Sequence, residues 1–158
     1  MTFYIGTAAW ALPRDVRDGF PPGASNLERY AGRFDATEIN SSFYRPHRRA
    51  TYERWAASVP PGFRFAVKLP KAITHEARLA DSEPLLARFA EETGGLGEKR
   101  GPILVQLPPS FAFDPALADR FFAQLGAIVG GPIAFEPRHP SWFDPYAEAL
   151  LVAHRIPR

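Results

Sequence analysis

Short apolar runs punctuate the chain at regular intervals. Residues 3–6, 36–39, 64–68, 103–106 and 133–136 are rich in β-branched or aromatic side chains and bounded by glycine, proline or polar residues. Buried strands of a parallel sheet have that composition. Their spacing of roughly 30–40 residues is that of a strand–helix unit. Helical periodicity fills the gaps. Leu27, Tyr30, Ala31 and Phe34 follow i, i+3, i+4, i+7, with Ser25 and Glu28 placed as a capping box. Tyr52, Trp55, Ala56 and Val59 repeat the spacing, and Leu85, Leu86 and Phe89 mark a third helix that Gly94-Gly95 can end. Asp114-Pro115 and Asp144-Pro145 each open a further helix with an acidic cap and a proline in the first turn.

The resulting order, βα repeated, implies parallel strands joined by right-handed crossovers, either doubly wound or closed into a barrel. A dinucleotide fold places a glycine fingerprint after its first strand, whereas this chain has Gly6-Thr7-Ala8-Ala9-Trp10. Barrel geometry is therefore expected. Gly94-Gly95-Leu96-Gly97-Glu98-Lys99 lacks Walker spacing and precedes a strand, which argues against a phosphate loop.

Composition adjusts this picture in a few respects. With 158 residues, 46% hydrophobic and 23% charged, the chain suits one folded domain, residues 1–158. Its 17 prolines are about twice the average load, but they stand at junctions between periodic segments. The absence of cysteine removes disulfides, thiolate metal sites and a cysteine nucleophile. The N-terminus has neither a basic region nor a long apolar run, so a cytoplasmic protein without a membrane span is expected. A net charge of +2 is too mild to indicate nucleic acid by itself.

Candidate chemistry gathers where the apolar runs stop. Glu38 and Asn40 share one strand face; Lys68, Gln106 and Glu136 end later strands, and Arg138 and His139 follow. Such residues converge on a ligand at the C-terminal rim of a barrel. Trp10, Phe43, Tyr44, Trp142 and Phe143 are either packing over the mouth or a platform for a sugar or base. Arg45, His47, Arg48 and Arg49 make a basic run. It is a solvated surface or, facing the mouth with Lys68, Lys71 and Arg138, a clamp for phosphate or carboxylate. No His-x-x-x-His spacing or nucleophile elbow occurs, so neither a metal nor a serine triad is assigned, and nothing names a cofactor. Glu38 and Glu136 could work as a carboxylate pair, and Lys68 as an anion holder, a proton-transfer group or a simple counter-ion.

Six blocks then carry a resemblance. They are Ile5-Gly6-Thr7-Ala8-Ala9-Trp10, Thr37-Glu38-Ile39-Asn40-Ser41-Ser42-Phe43-Tyr44-Arg45, Phe63-Arg64-Phe65-Ala66-Val67-Lys68, Ile73-Thr74-His75, the stretch 101–111 with Val105-Gln106-Leu107-Pro108-Pro109, and Phe135-Glu136-Pro137-Arg138-His139-Pro140-Ser141-Trp142-Phe143. Together they resemble the YecE-like family, also called domain of unknown function 72. The resemblance implies an α/β fold, an incomplete TIM-type (β/α) barrel of about five parallel βα units from an eight-unit plan, its C-terminal units missing. It also points to Glu38, Asn40, Tyr44, Lys68, His75, Gln106, Glu136, Arg138, His139 and Trp142. One departure is Ala8-Ala9, where the family more usually has a Ser-Gly pair.

The leading expectation is an enzyme fold acting on a small anionic substrate such as a phosphorylated sugar or nucleotide. Glu38, Lys68 and Glu136 are the candidate catalytic groups. Trp10, Asn40, Tyr44, Arg45, His75, Gln106, Arg138, His139 and Trp142 are the candidate binding groups. The alternatives are a nucleic-acid-binding module and an inactive fragment. Open sheet edges further predict self-association or a complementing chain.

Overall fold

The computed structural model describes residues 3–158; Met1 and Thr2, part of the N-terminal reading above, lie outside them. Four parallel strands, β1 (Ala36–Ile39), β2 (Arg64–Lys68), β3 (Arg100–Gln106) and β4 (Ile133–Glu136), lie side by side in chain order. Registers Glu38↔Ala66, Lys68↔Leu104 and Gln106↔Glu136 fix the pairing. Consecutive order is what short right-handed crossovers produce, each next strand being laid on the same side of the last.

The helices are α1 (Arg14–Arg17), α2 (Asn26–Ala31), α3 (Arg49–Ala57), α4 (Glu83–Thr93), α5 (Pro115–Ile128) and α6 (Pro145–Ala153). Their starts follow the expected caps. Ser25 accepts the Glu28 amide at 3.2 Å, Asp114 the Leu117 amide at 3.0 Å, and Asp144 the Tyr146 amide at 2.8 Å. At α2 the Glu28 carboxylate reaches one residue beyond the box, to the Ala24 amide at 2.7 Å. Gly94 and Gly95 end α4 as expected, and a 3-10 turn (Gly94–Lys99) leads into β3. A Cβ on Gly95 would stand 2.6 Å from the Arg49 carbonyl oxygen, so this glycine seats the turn against α3. That close approach is to protein backbone, in keeping with the argument against a phosphate loop.

Alternation along the strands sorts the two faces of the sheet. Thr37, Ile39, Phe65, Val67, Ile103, Val105 and Phe135 are buried, and all but Thr37 join the helix-side core with Phe89, Phe121, Phe122 and Leu151. The opposite face carries Ala36, Glu38, Ala66, Lys68, Leu104, Gln106, Ala134 and Glu136, all of intermediate exposure. One face is therefore a core and the other is open.

The first expected strand, residues 3–6, is not one. Phe3 and Ile5 are 73% and 67% exposed, and pairing with β1 comes later, as a single bridge Ala8↔Glu38. Glu38 N donates to Thr7 O at 3.0 Å and Ala9 N to Glu38 O at 2.9 Å, while Ile5 N turns to the Asp35 side chain. With a neighbour on only one side, this segment makes an edge contact rather than a full ladder. The third expected run is preserved as β2, and the fourth run becomes β3, which starts earlier than its apolar pattern, at Arg100. There Arg100 is held by its side chain, which donates to Val129 O at 2.8 Å.

Candidate functional site

The open face ends in charge. Successive strands deliver Glu38, Lys68, Gln106 and Glu136 to it, each at or near the carboxyl end. Ser42 ties the first two strand ends together, its hydroxyl lying 2.7 Å from Ile39 O and 2.6 Å from Lys68 O, with one hydrogen shared between the two carbonyls. No motif singled it out, although its place directly after Asn40-Ser41 at a strand exit is the signal that could have.

Glu136 is the most strongly organised member. Its Oε1 accepts from Gln106 Nε2 at 2.9 Å, Arg138 Nε at 3.0 Å and Arg138 Nη2 at 2.8 Å. Among the described residues nothing donates to Oε2. Burial pushes the Glu136 carboxyl up, but these bonds and the charges of Arg138 and Lys68 outweigh it and hold it below the ordinary value. Glu38 lies on the same face and moves the other way. Burial raises its carboxyl, Lys68 opposes this, and the Glu136 charge adds to it. Two carboxyls on one face are thus driven apart, the usual arrangement of an acid and an ionised partner.

Lys68 Nζ sits 4.8 Å from the centre of the Phe43 ring. The His75 ring meets the same phenyl edge-on at 5.0 Å, and its Nδ1 shares a hydrogen with Thr74 Oγ1 at 2.8 Å. Burial first, and then the charges of Arg138 and Lys68, lower the His75 value, so the imidazole is neutral at neutral pH. Glu38, Lys68, His75, Gln106, Glu136 and Arg138 form one electrostatic neighbourhood.

Other expected residues fall outside it. Trp142 is fully buried, donates its indole N–H to Phe111 O at 2.8 Å and packs on Phe135 at 4.8 Å. It is a core residue, because the apolar surface of β4 needed a large side chain above it. Trp10 leans on Trp55 and Phe65 at 5.1 and 6.3 Å, closing the sheet's β1 end while staying partly exposed. His139 caps a 3-10 turn (Pro140–Phe143) through Ser141, with Nδ1 2.8 Å from Ser141 Oγ. Asn40 opens the 3-10 turn Ser41–Phe43, and its Oδ1 is buried without a hydrogen bond among the described residues. Tyr44 and Arg45 line a separate groove with Lys71 on the far side of Phe43.

The basic run does not form one patch. His47 bonds to Ser41 Oγ at 2.8 Å and packs on Trp55, while Arg49 pairs with Glu53 at 3.0 Å. Among the described residues no three His, Asp or Glu side chains gather as metal ligands, and no helix is long and apolar enough to cross a membrane.

Glu38 also sets a pH dependence. In the folded chain it keeps its proton above the pH at which the unfolded chain releases it. Its contribution to stability is therefore full below the ordinary glutamate value and falls as pH rises through the folded value. Glu38→Gln is expected to melt higher than the parent at neutral pH and to lose this part of the decline. Thermal melts across the acid-to-neutral range check it.

Parallel strands in chain order, with helices on one face and a charged cluster at their carboxyl ends, define an α/β protein. The chain belongs to the family described as Protein of unknown function DUF72, which it matches over residues 4–158. It is 30% identical over 141 residues to UPF0759 protein YecE of Escherichia coli (strain K12), covering 89% of this chain and 50% of that protein. It is 28% identical over 154 residues to UPF0759 protein YunF of Bacillus subtilis (strain 168), covering 90% of this chain and 52% of that protein. The chain thus spans about half the length of these relatives.

Two solved structures share its fold. One is a DUF72 family protein (EF0366) of Enterococcus faecalis V583, with TM-score 0.78 and 22% identity, covering 97% of this chain and 58% of that one. The other is a DUF72 family protein (TM1631) of Thermotoga maritima MSB8, with TM-score 0.74 and 24% identity, covering 97% and 62%.

Proposed function

We propose that the open face is the inner wall of a TIM-type barrel, and that its rim binds a small anionic substrate and moves a proton on it. The observation that carries this reading is the delivery of Glu38, Lys68, Gln106 and Glu136 by four successive strands to one end of one uncovered face. A purely structural rim would have no need to drive two carboxyls in opposite directions beside an ammonium group that no carboxylate contacts directly among the described residues.

In this reading Lys68 and Arg138 hold the anion, with Gln106 fixing the Glu136 carboxylate. Glu38, which burial makes hold its proton more tightly than an ordinary glutamate, is the proton donor, and Glu136 receives a proton through its open Oε2. His75, neutral, supports Phe43 beneath Lys68. A phosphorylated sugar or a nucleotide-like molecule has the required charge and size. The substrate class extends to the whole protein as part of the same proposal.

Titration with inorganic phosphate and glycerol phosphate, followed by NMR shifts of the Gln106 amide and the Arg138 side chain, tests it. Saturable binding should weaken about tenfold in Lys68→Ala, as expected for one lost charge-assisted bond. Binding indifferent to that change, or none, overturns the reading. Nucleic-acid binding is distinguished by salt, because it would fall steeply between about 50 and 200 mM. The dispersed contacts of His47 and Arg49 give that alternative less support.

The open face carries a second expectation. Ala36, Ala66, Leu104 and Ala134 are uncovered, and Phe3, Tyr4, Ile5, Tyr146 and Val152 are exposed apolar groups. Exposed apolar surface of this kind favours association. The 158-residue chain is expected to form dimers or larger species in light scattering, through itself or a complementing chain. A sharp melt from a strictly monomeric sample would contradict this.

A further inference from the structure

A second concavity lies behind Phe43, away from the rim cluster. It encloses about 200 Å³ between the segment after β1, the segment after β2, and α4. Phe43, Pro46, Pro70, Ile73, Leu85 and Phe89 supply its apolar walls. An apolar cavity of about 150 Å³ holds a benzene ring, so this one has room for a single ring and a short substituent.

Its charges are unevenly committed. Lys71 Nζ pairs with Glu76 Oε1 at 3.1 Å, and Arg88 Nε with Glu92 Oε1 at 2.8 Å. Arg45, on the same wall, has no carboxylate within ion-pair distance among the described residues. The groove therefore carries one uncompensated positive charge, and that charge is a guanidinium, whose fork matches a carboxylate.

The walls are also held in place before any ligand arrives. Ser42, at the groove floor, is tied to the exits of two strands through Ile39 O and Lys68 O. The Phe43 ring is fixed by the Tyr44 ring at 5.0 Å and the His75 ring at 5.0 Å. Two prolines restrict the flanking backbone, and a single π-turn (Ala72–Glu76) forms one side. A preformed site loses less entropy on binding.

We propose that this groove binds a single-ring aromatic carboxylate, with the ring between Phe43, Pro70 and Leu85, over the buried Ile73, and the carboxylate on Arg45. The site is distinct from the rim cluster: Phe43 borders both, but Glu38, Lys68, Gln106, Glu136 and Arg138 are not among the groove's lining residues. It does not depend on the proton-transfer reading.

The test uses three probes of similar bulk: phenylacetate, 2-phenylethanol and phenethylammonium. Binding is followed by methyl NMR shifts of Ile73 and Leu85 in the full chain. Phenylacetate should bind about tenfold more tightly than the alcohol, the size of effect one charge-assisted pair supplies, and the ammonium most weakly. Arg45 is exposed and makes no side-chain hydrogen bond among the described residues, so Arg45→Gln should fold normally. That variant should bring phenylacetate down to the level of the alcohol, and Arg45→Lys should restore part of the preference. Equal binding of the three probes, shifts absent from Ile73 and Leu85, or an Arg45→Gln protein with unchanged preference overturns the proposal.

Discussion

Trp142→Ala is expected to lower stability by about 3–5 kcal/mol, the range for emptying a large aromatic site in a packed core. The indole is fully buried and touches Phe111, Phe113 and Phe135, so no solvent can refill the space without wetting apolar walls. The change also leaves Phe111 O without the N–H that reaches it at 2.8 Å. Marginally stable domains tolerate little of this, and the variant should unfold at much lower denaturant. Trp142→Phe keeps most of the packing and loses the hydrogen bond, and should fall between the two. Chemical denaturation of the three proteins measures the series. An alanine variant as stable as the parent would return Trp142 to the role of a surface platform.

Gly6→Ala should detach the N-terminal segment from β1. A Cβ at this position would sit 1.9 Å from the Ala36 carbonyl oxygen and 2.5 Å from its carbon, both backbone atoms that cannot rotate away. The chain must therefore move. The bonds between Thr7, Ala9 and Glu38 then break, and Trp10 is pulled from Trp55 and Phe65. The expected result is fast amide exchange at Ala9 and Glu38 and greater solvent exposure of Trp10, with the helix-side core of β2 to β4 still protected. Unchanged exchange at Ala9 and Glu38 would contradict the close approach.

Much of this architecture is legible in the sequence because its signals are local. Strand alternation at Ala36–Ile39 and Arg64–Lys68, and the acidic caps at Asp114 and Asp144, each depend on a few neighbouring residues. Residues 3–6 misled because an apolar run reports a tendency to be buried, whereas a strand also needs partners on the correct edge. The rim is legible for a similar reason. A polar residue ending an apolar run must lie at a strand end, and parallel strands bring such ends together.

The distribution of roles within the cluster was not legible. Trp142 and Phe143 are adjacent in sequence, yet one is fully buried and the other 59% exposed. Only the packing of Phe111, Phe113 and Phe135 decides which ring turns inward. Likewise Arg45 and Lys68 look alike as cations near a strand end, but Arg45 lines the groove whereas Lys68 sits over the Phe43 ring and is not part of that lining. The link between His139 and Ser141 depends on a turn whose form the sequence only suggests.

Glu38 and Glu136, on one open face, hold their protons on different terms. Carboxyl carbon-13 NMR titration of the full chain, with Glu38→Gln and Glu136→Gln used for assignment, measures this directly. Glu38 is expected to release its proton above the ordinary glutamate value and Glu136 below it, with Glu38 falling when the Glu136 charge is removed. Two carboxyls titrating together at the ordinary value would contradict it.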